Sequence, residues 1–189
     1  MNRRIHPPAV ISQNMPFQLT IEPHRETWKS DFQQEAARIK IALGPALIAL
    51  YHIGSTAIPG IHAKPIIDIM AEAASLDALD ARRGEMERLG YEAMGEFGIP
   101  GRRYFRKDSA AGMRTHQVHA FATGSPHLVR HLAFRDYLRA HPESAREYGA
   151  LKLRLAESCN GDVEAYIEGK EAFVKDVEHR ALEWIANDV

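Results

Sequence analysis

"HIGSTAIPGIHAKPIIDIM", residues 52–70, decides how the rest of the chain is read. A turn of small residues, Gly54-Ser55-Thr56, precedes an apolar run from Pro65 to Met70 that one carboxylate, Asp68, interrupts. An ionised carboxylate in a buried strand must be paired, hydrogen-bonded or metal-bound. Side chains alternate along a strand, so Ile66, Asp68, Met70 and Glu72 share one face and Ile67, Ile69 and Ala71 the other. The wholly apolar second face is the core side, and Asp68 projects from the face left for function.

Outward from this stretch the chain alternates between two periodicities. Upstream, "FQLTIE" at 17–22 reads as a short half-buried strand, and Trp28, Phe32, Ala36, Ile39 and Leu43 recur at helical spacing up to the stop at Gly44-Pro45. "ALIALYHI", 46–53, is a continuous apolar run of strand length, paired with a second core strand at 65–73. Downstream, residues 76–89 predict a helix with Leu76, Leu79, Met86 and Leu89 inward, and "RRYFRK" and "MRTHQVHAFA" predict two strands joined by "DSAAG". From Ser125-Pro126, an N-cap followed by proline at the first helical position, the pattern is wholly helical, restarting at Pro142 and Asp162. The expected organisation is a tail over 1–16, a mixed-sheet α/β (α+β) core over 17–124 and a helical part over 125–189 packed on it.

With 189 residues, 45% of them hydrophobic, and a net charge of -1, the chain has the profile of an ordinary globular protein rather than of a nucleic-acid or membrane binder. No window reaches membrane-spanning length. The single cysteine, Cys159, excludes an intramolecular disulfide and points to a reducing, cytoplasmic setting.

A Gly-Ser pair at a strand end, with an aspartate on the next strand, resembles the layout of nucleotidyltransferases of the DNA polymerase beta type. Gly54 would let the backbone approach phosphate closely, Ser55, Thr56 and turn amides would donate to its oxygens, and Asp68 would hold a divalent cation. A turn beside a hydrogen-bonded core aspartate is the alternative. The longer stretch 52–70 resembles the signature of the GrpB family, and the match continues through "RRYFRK", "RTHQVHAF", "LAFRDYLRAHPESAREYGALKLRLA" and "YIEGKEAFV". The resemblance implies a nucleotidyltransferase-like mixed sheet flanked by helices, with a C-terminal helical subdomain, and kinship with the accessory domain of some dephospho-CoA kinases. No G-x-x-x-x-G-K-[ST] loop is present.

The resemblance also implies a second acid two residues beyond Asp68, where this chain has Met70, and Glu72 lies about 13 Å along the strand at about 3.3 Å per residue. On the later strand His116 and His119 stand where a further acid is expected, and Gln117 replaces the middle histidine of the family's H-H-x-H pattern. Asp68 with His119 as metal ligand or base would suit Mn2+ or Zn2+ better than Mg2+; histidines merely hydrogen-bonded within the strand are the equal alternative. Lys64, Arg103 and Lys107 are the candidate phosphate-binding cations, against the alternative of a solvated basic edge. His52, Glu72, His116 and Arg135 are further cleft candidates, with Arg139 one turn after Arg135 and Lys152 one turn after Tyr148.

Two functions remain open on this basis. One is metal-dependent nucleotidyl transfer from a nucleoside triphosphate to a small acceptor. The other is a catalytically silent nucleotide- or phosphate-binding, or folding-accessory, module. The expected partner in both is a nucleotide or phosphorylated small molecule.

Overall fold

The structure, a computed structural model, describes residues 20–187. The expected tail over 1–16 and the first half of the "FQLTIE" strand lie outside them. Its described end makes only an isolated bridge, Glu22 to Ala63.

Five strands form one sheet in the order β1-β2-β5-β4-β3: β1 (Leu47–Ile53), β2 (Ile67–Ala73), β3 (Glu92–Ala93), β4 (Arg103–Asp108) and β5 (Arg114–Ala122). All neighbours are antiparallel except β2 and β5, which run parallel and set Asp68 beside Gln117 and Met70 beside His119. The short strand β3 carries too few residues for an alternating pattern, which is why periodicity misses it.

Helix α1 (Thr27–Leu43) covers one face of the sheet, with Trp28, Ile39 and Leu43 packed on Ile67, Ile69, Ala71 and Val118. The helix expected over 76–89 is instead two short ones, α2 (Leu76–Asp80) and α3 (Arg83–Arg88). Leu79 and Met86 still both reach this core, fully buried. Asp80 at the break is gripped by Arg103 through two bonds of 2.7 Å, and Gly84 lowers the propensity to continue.

The other face is covered only in part. Helix α4 (Pro126–Ala140), capped by Ser125 with Pro126 at its first position, sets Leu128 on Ile53, Met70 and Phe121. It also joins α5 (Pro142–Ser158) and α6 (Val163–Asn187) around a separate core with Ile58 and Ile61. Between the uncovered part of the sheet and α5–α6 a cleft remains. No helix among the described residues is long and apolar enough to cross a membrane.

Candidate functional site

The Gly54-Ser55-Thr56 turn leaves β1 and folds onto Asp68. Gly54 has φ +69°, and a Cβ there would lie 2.5 Å from Asp68 Oδ2, so the position requires glycine both for conformation and for contact. Thr56 is buried, donating to the Ile66 carbonyl at 3.2 Å and meeting His52 Nε2 at 3.0 Å. Its hydroxyl braces the turn. His52 stacks on Phe32 at 4.8 Å on the α1 side, and burial pushes its imidazole down to about 4, so it is neutral at pH 7.

Two arginines of α4 hold the turn from behind. Arg135 donates to the His52 carbonyl at 3.1 Å and Arg139 to the Ala57 carbonyl at 2.9 Å, while Asp136 pairs with both. Arg135 therefore enters the site through the backbone it fixes.

The cleft itself is a cavity of about 330 Å³. Ser55, Asp68 and Gln117 form its sheet side, Lys64 its rim, and Tyr148, Lys152, Tyr166 and Lys170 its helical wall. Ser55 faces the Tyr148 phenol, whose pKa burial raises to about 12 against the lowering effect of Ser55. Lys152 is buried, donates to the His62 carbonyl at 2.5 Å and lies 4.5 Å from the centre of the Tyr148 ring. Lys64 and Lys170 lie 4.7 and 5.0 Å from the centre of the Tyr166 ring. Burial, then repulsion from Lys170, pushes Lys152 down to about 7 and Lys64 to about 8, and burial also lowers Lys170; Asp68 opposes each shift.

Deeper on the sheet, His119 Nε2 stands 3.7 Å from Asp68 Oδ1. Its Nδ1 lies 3.5 Å from Arg102 Nη1. Arg102 is buried and anchored by the carbonyls of Glu96 at 3.1 Å and Phe97 at 2.6 Å.

Of the candidates, Gly54, Ser55, Thr56, Lys64, Asp68 and His119 lie near one another. Other candidates fall elsewhere. Arg103 and Lys107 point from β4 to the α1–α3 side because Tyr104, between them in alternation, takes the cleft face opposite His119. Arg103 is committed to Asp80, and Lys107 to buried Glu35 at 2.8 Å. His116 shares that far face, next to Lys107 across the strands. Glu72 is on the cleft face but bonded to Tyr51 at 3.1 Å and Thr123 at 3.0 Å, at the other end of β2. Met70 is fully buried.

Two donors, Asp68 and His119, do not by themselves make a metal cage, and among the described residues no group of three or more His, Cys, Asp or Glu is placed to hold an ion. Lys152, paired with Tyr148 as a cleft candidate, does line the cavity, and the sequence reading missed Lys170 beside it. Tyr148-x-x-x-Lys152 and Tyr166-x-x-x-Lys170 repeat one spacing on successive helices, which is the signal that could have extended the reading to Lys170.

Comparison with known proteins places this arrangement in context. The GrpB protein family matches residues 18–180. UPF0157 protein YqkA of Bacillus subtilis is 45% identical over 161 residues, 85% of this chain and 46% of that protein, so the chain spans about half the length of this relative. A dephospho-CoA kinase of Mycolicibacterium paratuberculosis is 29% identical over 185 residues, 86% of this chain and 46% of the kinase. The crystal structure of GrpB from Enterococcus faecalis superposes with a TM-score of 0.83 at 40% identity, covering 88% of this chain and 99% of that one. Terminal uridylyl transferase 4 from Trypanosoma brucei, solved with bound dUTP, superposes with a TM-score of 0.52 at 13% identity over 87% of this chain and 56% of its own. At that identity the likeness is one of fold, and the fold is a nucleotidyltransferase-like α+β sheet with C-terminal helices.

Proposed function

The chain belongs to the GrpB family, and from that premise we propose that its cleft binds a phosphorylated small molecule, with a nucleotide as the reference ligand. The observation that carries this is the convergence of Lys64, Lys152 and Lys170 on the cavity that also holds Ser55 and Asp68. Among the described residues three lysines and one carboxylate line it, a set of donors that suits an anion with several charges. Tyr148 and Tyr166 add aromatic surface on which the cations rest.

Calorimetric titration of ATP, UTP and inorganic tripolyphosphate into the whole chain tests the proposal. Saturable one-site binding that is weakened in Lys170→Met supports it. Absence of binding by all three, with the protein folded, overturns it.

A second reading, nucleotidyl transfer to a small acceptor, is favoured by the contact of the Gly54 backbone with Asp68. Met70 in place of a second acid weighs against it. Its test is release of pyrophosphate from nucleoside triphosphates with Mg2+ or Mn2+ present, lost in Asp68→Asn.

A further inference from the structure

A phosphate bound against Asp68 sets negative charge beside a carboxylate, and some cation must offset it. A divalent ion is the common solution, and it needs convergent oxygen or nitrogen lone pairs. Three features of this cleft deny it those. Met70, facing the same way as Asp68 one pleat further on, is packed among Ile53, Phe121 and Leu128. Both oxygens of Glu72 are engaged by Tyr51 and Thr123.

The third feature concerns His119. A guanidinium only donates, so Nδ1 of His119, 3.5 Å from Arg102, is the accepting nitrogen. In the neutral ring the proton then sits on Nε2, the nitrogen that faces Asp68. The imidazole lone pair is turned to a permanent cation and away from the carboxylate, so the two groups are hydrogen-bonding partners instead of co-ligands. Arg102 cannot swing aside cheaply, since the carbonyls of Glu96 and Phe97 anchor it.

The opposite wall supplies what the sheet lacks. Lys152 and Lys170 come from two different helices, and Lys64 from the segment leading into β2. We infer that the cleft binds its phosphorylated ligand without a divalent cation, the ammonium groups of Lys64, Lys152 and Lys170 providing the charge that a metal ion would otherwise provide. This rests on the phosphate reading above and narrows it to ligands bearing a di- or triphosphate, long enough to meet Lys152 and Lys170 on the helical wall as well as Lys64 beside β2. Burial and mutual repulsion lower the lysines, and an anion among them relieves the repulsion and offsets the burial. Binding near neutral pH therefore takes up protons.

The experiment is titration of inorganic tripolyphosphate in EDTA and in Mg2+, repeated in buffers of different ionisation enthalpy, on wild type, Asp68→Asn, Lys152→Met and Lys170→Met. Binding in EDTA no weaker than in Mg2+, with proton uptake, is expected. Lys152→Met should weaken it about tenfold or more, as loss of a charge-assisted bond does. Asp68→Asn should tighten it, because a repelling carboxylate is gone. Should Lys152→Met fail to fold, Lys170→Met, on a less buried residue, carries the same test.

Binding that requires Mg2+ and is lost in Asp68→Asn overturns the inference and leaves the phosphate reading standing. Binding in EDTA that neither lysine variant affects also overturns it, since the anion then sits elsewhere. No binding under any condition removes both.

Discussion

The two faces of the sheet carry similar charges and use them in opposite ways. On the α1 side Lys107 holds Glu35 and Arg103 holds Asp80. On the cleft side Lys152 and Arg102 lean on carbonyl oxygens and Lys170 on the Tyr166 ring, and Asp68 is the carboxylate that lines the cavity among the described residues. A charge closed into an ion pair serves the fold. A charge supported by neutral groups keeps most of its field for something else, at a cost in desolvation.

The largest effect should come from opening the closed face. Lys107→Met strips buried Glu35 of its main partner and should cost about 3 kcal/mol, read as a fall in melting temperature of about 6–12 °C. Burial raises the Glu35 pKa, but the Lys107 bond and charge more than reverse this, so the net shift is downward. Stability from that shift is present above the unfolded value of 4.5 and is lost as pH falls through the folded one. Acid unfolding of the variant should lose this component. An unchanged melting temperature in Lys107→Met would erase the distinction between the faces.

Next comes the turn itself. Gly54→Ala forces a Cβ toward Asp68 at positive φ and should cost about 1–3 kcal/mol, together with tripolyphosphate affinity. On the open face a lowered pKa marks a charge that folding destabilises, where for Glu35 it marks one that folding stabilises. The lowered lysines make the unfolded chain bind more protons between the folded values, about 7 for Lys152 and 8 for Lys64, and the ordinary lysine value of 10.5, so stability should rise with pH across that window. Anion affinity should fall over the same range. Denaturation midpoints and Kd measured from pH 7 to 9 check both trends, and two trends of the same sign would refute the assignment. The smallest effect is Arg139→Gln, which removes one hydrogen bond to the Ala57 carbonyl and should cost about 1 kcal/mol.

The elements with a clear period were legible in the sequence: α1, β1, β2, β5 and the three C-terminal helices follow from apolar spacing, and α4 from its Ser-Pro start. The split between α2 and α3 was not, because it depends on Asp80 meeting an arginine far along the chain. In the site, Gly54, Ser55 and Asp68 could be grouped because strand alternation and one short connection place them. Arg103 and Arg102 could not be told apart until the register of β4 on β5 was known, since a shift of one residue exchanges the faces. The Tyr-x-x-x-Lys spacing singles out Lys152 and Lys170, but that they meet in one cavity depends on how α5 and α6 dock against the sheet, which no local pattern encodes.

Arg135 and Arg139 reach across from α4 to the two backbone carbonyls that bracket the Gly-Ser turn. The helical third is therefore a splint for the sheet, and the change of pattern near residue 125 is a poor place to divide the molecule. A chain ended before Ser125 would keep Ser55 and Asp68 in its sequence, yet the turn and the loop after it would lose the bonds from Arg135, Arg139 and Lys152 to their carbonyls.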